Sequence, residues 1–199
     1  MAEQFGDSPL LDRLREVGAL KDGHFLLASG RHSNRYIEKF DLLRQPRATE
    51  AVCRGFVERF RGAGVDVVAG PTTGGIILAF EVARQLGVAS AYAERRAEGQ
   101  SEREFRRGTT FNSGQRVVLV DDILTTGGSI RESLAALAKQ PVEVVGIGVL
   151  VDRSGGKTTF GDLPLFALAT LAVESWEPGE CPLCNAGIPV VKPGTTAVS

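Results

Sequence analysis

Two carboxylates, Asp121 and Asp122, directly follow the apolar run Val117-Val118-Leu119-Val120, and after Ile123 and Leu124 comes Thr125-Thr126-Gly127-Gly128-Ser129. Carboxylates at the end of a buried strand lie where open α/β sheets hold their ligands, and they must meet water, a cation or hydroxyl groups there. The Thr and Gly residues offer hydroxyls and unobstructed backbone N–H groups at the start of a helix, an arrangement that cradles a phosphate and gains from the helix dipole. The Lys of a Walker A loop is absent. The chemistry that fits the string is recognition of one phosphate monoester beside a polyol whose hydroxyls donate to the carboxylates. A capped helix after a strand, with two solvated aspartates, accounts for either half alone because Gly and Thr turns are common. It accounts less well for the two halves in register.

The surrounding pattern has to position that loop. Ser8-Pro9 ahead of Leu10, Leu11, Leu14 and Val17 predicts a short amphipathic helix stopped near Gly18. Val52, Phe56 and Phe60 recur at helical spacing from Ala48 until Gly62 and Gly64, and a strand over Val65 to Ala69 follows. Gly70-Pro71-Thr72-Thr73-Gly74-Gly75 breaks the chain before Ile76 to Leu86, where Ile77, Phe80, Val82, Ala83 and Leu86 predict a helix buried over much of its surface. The unit then repeats: a strand at Val117 to Val120, the loop, and a helix from about Ser129, where Ser129 and Glu132 have capping-box spacing. Pro141 closes that helix and Val144 to Val151 supplies another buried strand, so the alternation predicts a parallel α/β sheet. The ends, roughly 1–40 and 165–199, do not fit the alternation and are expected to pack together as a cap on a core of roughly 41–164, within a single domain spanning 1–199.

A formal charge of -1 on 199 residues gives no electrostatic basis for a dedicated nucleic-acid or membrane-surface binder. The longest apolar run falls far short of the roughly 18 residues of a membrane span. Met1 to Leu11 carries Glu3 and Asp7 and does not read as a secretory signal, and three cysteines suit a reducing compartment, so the cytoplasm is expected.

The string VVLVDDILTTGGSI, Val117 to Ile130, resembles the phosphoribosyl diphosphate signature of the type I phosphoribosyltransferases. LLASGRHSNRYI at Leu26 to Ile37 and VLVDRSGG at Val149 to Gly156 narrow the resemblance to the orotate phosphoribosyltransferases. The resemblance implies the type I fold: a mostly parallel central sheet flanked by helices, with a small hood built from the N- and C-terminal segments. It implies transfer of phosphoribosyl from phosphoribosyl diphosphate to orotate, giving orotidine 5′-monophosphate and diphosphate in pyrimidine synthesis. Carried over by position, Asp121, Asp122, Ile123, Leu124, Thr125, Thr126, Gly127, Gly128 and Ser129 hold the ribose and 5-phosphate. Thr73 and Gly74 belong to the pyrophosphate loop, and Thr125, Arg153, Ser29, Gly30 and Arg31 face orotate. A guanidinium at 153 suits a carboxylate substrate because its planar fork pairs in a bidentate way. The family also implies Mg2+ carried by the diphosphate and ribose hydroxyls rather than by protein ligands, and a homodimer in which a mobile loop reaches the neighbouring site. A purine-type phosphoribosyltransferase would share the 121–129 loop but not Arg153 or the SGR segment. A non-catalytic nucleotide sensor on the same fold is the reading from a different class.

Glu94 to Gly114 is mostly polar and longer than the roughly 12–15 residues usual for structureless loops, so it is either functional or partly a hairpin. It stands where the family has its mobile loop and carries Arg95, Arg96, Arg103, Arg106 and Arg107, largely offset by Glu94, Glu98, Glu102 and Glu104. Arg95 and Arg96 are the catalytic candidates for the diphosphate. Where better-known members carry Lys, this chain has Ala28 and Gly74, and the loop holds neither Lys nor His. Positive charge on the leaving group is therefore expected from Arg and Mg2+ alone. Cys181-Pro182-Leu183-Cys184 has the spacing of half a zinc motif or of a redox pair. His24, His32 and Cys53 are the other soft ligands, at spacings that match no standard zinc module, so the pair is read as a structural C-terminal turn, with redox or metal use left open.

Overall fold

The computed structural model describes residues 9–27, 29–97, 99–171 and 173–193. In chain order the elements are α1 (Pro9–Glu16), β1 (Leu20–Leu26), β2 (His32–Ile37), α2 (Lys39–Leu43), α3 (Pro46–Phe60), β3 (Val67–Pro71), α4 (Gly74–Leu86), β4 (Ala89–Arg95) and β5 (Arg103–Phe105). They continue with β6 (Gln115–Leu124), α5 (Gly128–Leu137), β7 (Val142–Asp152), β8 (Leu165–Thr170), β9 (Ser175–Trp176), a 3-10 turn at Pro178–Glu180 and α6 (Pro182–Asn185).

Six strands form the main sheet in the order β5-β4-β3-β6-β7-β8. All neighbours are parallel except β5, which folds back antiparallel on β4. The central strands are buried on both faces, and alternate residues serve opposite layers. Val68, Val118 and Val120 pack in the cluster that holds α1, α3 and α4, whereas Val67, Ala69, Val117 and Leu119 pack with Ile130 and Leu137 of α5. The two glycines inside the apolar run of β7 have a packing cause. A Cβ on Gly148 would lie 2.9 Å from the Phe56 ring, and one on Gly146 would lie 3.0 Å from Phe60. Those rings meet Phe166 of β8 edge-on.

Several expectations change. Phe80 is not part of a buried helix face: α4 buries Leu78, Ala79, Val82 and Ala83, and Phe80 is 62% exposed. The Ser129–Glu132 capping box does not form. Helix α5 begins one residue earlier, capped by Gly127 in the left-handed region with no side-chain hydrogen bond, and Glu132 instead accepts from Arg103. The N-cap expected at Ser8 and the family position at Ala28 lie outside the described residues. A second, three-stranded sheet in the order β1-β2-β9 places the β1–β2 hairpin beside Ser175–Trp176. The boundary at 165 is displaced, because β8 pairs along β7 and belongs to the main sheet. The stretch from Glu94 to Gly114 is partly a hairpin, with Ala93, Glu94 and Arg95 facing Phe105, Glu104 and Arg103.

Candidate active site

The site forms where β6 outruns β3. Pairing between those strands stops at Ala69↔Leu119, whereas on the other side β6 stays paired with β7 as far as Leu124↔Asp152. Asp121 and Asp122 are therefore strand residues rather than residues after the strand, and they overhang the shorter β3. Both are buried. The Asp121 carboxylate accepts from Ser129 Oγ at 2.6 Å and from the Asp122 amide at 2.8 Å, and Asp122 accepts from the Ile123 amide at 2.7 Å. Burial, then the adjacent Asp122 charge, push the Asp121 carboxyl up to about 6, against the Ser129 and Asp122 hydrogen bonds and the Lys39 charge that oppose the rise. Ser129 thus gives its hydroxyl to Asp121. Thr125, Thr126 and Gly128 are exposed around the start of α5, whose N-cap Gly127 makes no side-chain hydrogen bond to the first-turn N–H groups.

The 70–75 turn is shaped by close backbone approach. A Cβ on Gly70 would sit 2.1 Å from the Gly75 carbonyl oxygen, and one on Gly75 would sit 2.5 Å from the Pro71 ring. A Cβ on Gly74 would fall 1.9 Å from Asp122 Oδ2, so no side chain can stand there while Asp122 holds its position. The Thr72–Thr73 peptide is cis. Arg103, 4% exposed, fastens this turn: its guanidinium donates to Thr72 Oγ1 at 3.1 Å, to the Ala93 carbonyl at 3.1 Å and to Glu132 of α5 at 2.9 Å. One buried cation thereby holds the hairpin, the 70–75 turn and the helix behind the 125–129 loop in one arrangement.

Lys39 was not among the expected site residues. It opens α2, which Glu38 caps and Leu42 and Leu43 anchor, and its Nζ lies 2.8 Å from Asp122 Oδ2. Positive charge in the site is therefore not confined to Arg and a metal. Tyr36 of β2 is a second addition. It lies within electrostatic reach of Lys21, Lys39 and Arg153, and burial together with Glu38 raises its hydroxyl pKa. A residue more than 80 positions from Asp122 carries no local signal of pairing with it.

Arg153 follows β7 directly, and its amide donates to the Leu124 carbonyl at 2.8 Å, which ties it to the base of the 125–129 loop. Its side chain is half-buried, and its Nε is buried with no hydrogen-bond partner among the described residues. Burial lowers its pKa, opposed by Tyr36. A guanidinium held this way lacks the anion that would compensate its desolvation. Arg31 is placed differently from the expectation. It bonds Ser175 through Nε at 3.0 Å and Nη2 at 2.6 Å and pairs with Glu177, so its fork is spent inside the small sheet. Ser29 and Gly30 lie exposed at the β1–β2 tip beside it. Among the hairpin arginines, Arg106 pairs with Glu104, Arg107 with Glu94 and Arg96, at 3.5 Å, with Glu102. Arg95 is exposed at the end of β4 without a partner among the described residues.

Residues 41–159 match the family described as phosphoribosyl transferase domain. The chain is 42% identical over 190 residues to a protein of Desulforamulus reducens named orotate phosphoribosyltransferase, covering 96% of this chain and 97% of that one. It is 46% identical over 184 residues to the protein of that name from Pelotomaculum thermopropionicum, covering 92% and 95%. The crystal structure of orotate phosphoribosyltransferase from Aeropyrum pernix superposes with a TM-score of 0.68 at 31% identity, over 80% of this chain and 92% of that one. Adenine phosphoribosyltransferase from Thermoanaerobacter pseudethanolicus, at 20% identity and a TM-score of 0.59, shares the fold.

Proposed function

Since this chain belongs to the orotate phosphoribosyltransferase family, we propose that it transfers the phosphoribosyl group of phosphoribosyl diphosphate to orotate. A ring nitrogen of orotate forms the new bond to the anomeric carbon of the sugar as the bond to the diphosphate oxygen breaks, and diphosphate departs. The observation that carries the choice of orotate is Arg153, a half-buried guanidinium with an unpartnered Nε at the base of the 125–129 loop. A carboxylate on the acceptor base satisfies it, and a neutral purine does not.

The other roles follow from the same geometry. Backbone N–H groups of 125–129 receive the 5-phosphate, with the α5 dipole behind them. Asp121 and Asp122 accept from the ribose hydroxyls and stabilise the positive charge that grows on the sugar as the diphosphate leaves, an electrostatic role suited to groups fixed beforehand by Ser129, backbone amides and Lys39. Thr73 and Gly74 present backbone to the diphosphate, and exposed Arg95, with Arg96 beside it, closes over it from the hairpin. Mg2+ fits as a passenger of the substrate: the hard carboxylate oxygens suit it, but Asp122 already carries the Lys39 ammonium, which favours contact through ribose hydroxyls over direct ligation. When bound, the ion neutralises charge on the departing diphosphate. A homodimer accounts for the 62% exposed Phe80 on α4, and three free cysteines suit a reducing cytoplasm. Among the described residues, no helix is long and apolar enough to cross a membrane.

The test is a spectrophotometric assay of the purified protein with phosphoribosyl diphosphate and Mg2+, run in parallel with orotate, uracil, adenine, hypoxanthine and xanthine. Turnover of orotate alone, abolished by chelation and restored by Mg2+, is the expected result. Turnover of a purine instead reassigns the acceptor, and silence with every base removes the catalytic reading.

A further inference from the structure

Segment 177–193 is held to the rest of the protein mainly by polar contacts, with little apolar burial. Among its residues only Cys181 is buried, while Ile188, Val190 and Val191 are 44%, 46% and 55% exposed. Its contacts with the rest of the protein include an ion pair from Glu177 to Arg31 and two backbone bonds, Leu26 N to Val191 O at 2.9 Å and Val191 N to His24 O at 2.8 Å. A tail with so little apolar burial does not hold a fixed path by packing.

What stands at its centre is a group of four soft ligands. His24 of β1, His32 of β2, Cys181 and Cys184 bring one ligand atom each to within 4.8 Å of one another. His24 Nε2 lies 2.9 Å from His32 Nδ1, 3.4 Å from Cys181 Sγ and 3.8 Å from Cys184 Sγ, and Cys184 Sγ lies 3.3 Å from His32 Nδ1. Bond lengths of about 2.3 Å to sulfur and about 2.0–2.1 Å to nitrogen at tetrahedral angles put S and N ligands roughly 3.5 Å apart and two N ligands roughly 3.3 Å apart. The three nitrogen–sulfur separations of 3.3–3.8 Å bracket the first value, the two nitrogens are about 0.4 Å closer than the second, and all four atoms lie within 4.8 Å of one another, so small ring and thiol movements make a tetrahedral set. His24 Nδ1 donates to the Ile188 carbonyl at 2.7 Å, which fixes the ring and leaves the Nε2 lone pair facing the other three ligands, the outer-shell bond that metal-bound imidazoles make. Both imidazoles and Cys181 are buried, neither sulfur is in a disulfide, and the group contains no carboxylate.

We propose that His24, His32, Cys181 and Cys184 bind one Zn2+ as a closed structural site that fastens the C-terminal segment to the β1–β2 hairpin. An N2S2 donor set selects a borderline-soft tetrahedral ion over Mg2+, and four protein ligands leave no position for a substrate. The ion joins residues 24 and 181, far apart in the chain, and it steadies the hairpin whose tip carries Ser29 and Gly30 and whose second strand carries Tyr36. In this proposal the CxxC turn, for which the sequence leaves redox or metal use open, supplies half of a site, and two strands supply the other half.

The experiment uses the full-length protein. Protein purified without chelator is expected to hold one Zn2+ per chain by elemental analysis. Metal-stripped, reduced protein given Co2+ is expected to develop the visible bands of a tetrahedral ion and sulfur-to-cobalt charge transfer, unaffected by excess Mg2+. Cys184→Ser, at the exposed ligand, is expected to weaken Co2+ binding at least tenfold. The wild-type spectrum needs no variant to fold, and Cys53→Ser serves as a control that keeps full metal content. Stripped protein that shows no Co2+ bands, a metal content unchanged in Cys184→Ser, or a Cys181–Cys184 disulfide in protein purified under air in place of bound metal each overturns the assignment.

Discussion

Replacing Arg153 with Ala separates recognition of the acceptor from everything else the site does. The guanidinium is half-buried with an unpartnered Nε, so in the free protein its loss removes a desolvated charge and breaks no side-chain bond recorded for it. Stability should stay within about 0.5 kcal/mol of the parent. With orotate bound, the fork makes two charge-assisted hydrogen bonds to a carboxylate, each worth about 1.5–3 kcal/mol. Part of that is returned when water solvates the freed carboxylate, which leaves a net loss of about 3 kcal/mol, or roughly 150-fold in apparent orotate affinity. Steady-state kinetics with each substrate varied in turn should show the orotate KM rising by about two orders of magnitude while the KM for phosphoribosyl diphosphate moves less than about threefold. Arg153→Lys keeps the charge without the fork and should recover only part of the loss. An orotate KM within twofold of the parent would refute the assignment. A parallel rise in both KM values with a lowered melting temperature would show that Arg153 holds the loop rather than the base.

Three further outcomes follow from the charge and packing around Asp121 and Asp122. Lys39→Met removes a cation that lowers the Asp121 pKa, so the acid limb of kcat/KM set by ionisation of Asp121 should move upward, checked by pH–rate profiles on the same substrates; an unmoved limb would remove Lys39 from the site. Asp121→Asn should stabilise the fold. The folded carboxyl titrates near 6, above the ordinary 3.8, so its favourable protonated form is fully present below the unfolded pKa and lost as pH rises through 6. Urea melts should show a gain on the order of 1–2 kcal/mol at neutral pH that vanishes near pH 4, together with a severe loss of turnover. Gly74→Ala places a methyl 1.9 Å from Asp122 Oδ2 and must shift that carboxylate, so kcat should fall by about tenfold; near-parental activity would show that Asp122 does not need its position.

The core of the site was legible in the sequence because it is contiguous. A strand, two aspartates, a glycine turn and a helix between Val117 and Leu137 are specified by period and turn chemistry over a single β-loop-α unit, and that unit formed where the pattern put it, with the strand running on through the aspartates. The parallel sheet was legible for the same reason, since buried strands alternating with amphipathic helices leave few topologies. Arg153 was legible as a motif position, but its unpartnered Nε was not.

Contacts between segments distant in the chain were decided only by tertiary structure. Lys39 meets Asp122 because α2 packs on α3 and α4 with Leu42 and Leu43 in the core, and neither residue has a neighbour in sequence that announces the pairing. Arg103 reads as one of five similar loop arginines, yet the β4–β5 register buries it against Thr72 and Glu132. Arg31 reads as a substrate contact, and β9 takes its guanidinium away. His24 and His32 match no zinc spacing in the sequence, yet they lie on the two strands of one hairpin and meet a cysteine pair more than 140 residues downstream. Local propensity acts over one turn of helix or one pleat of strand. A charge pair or a ligand set depends on where whole elements come to rest, and that is set by the sum of the packing around them.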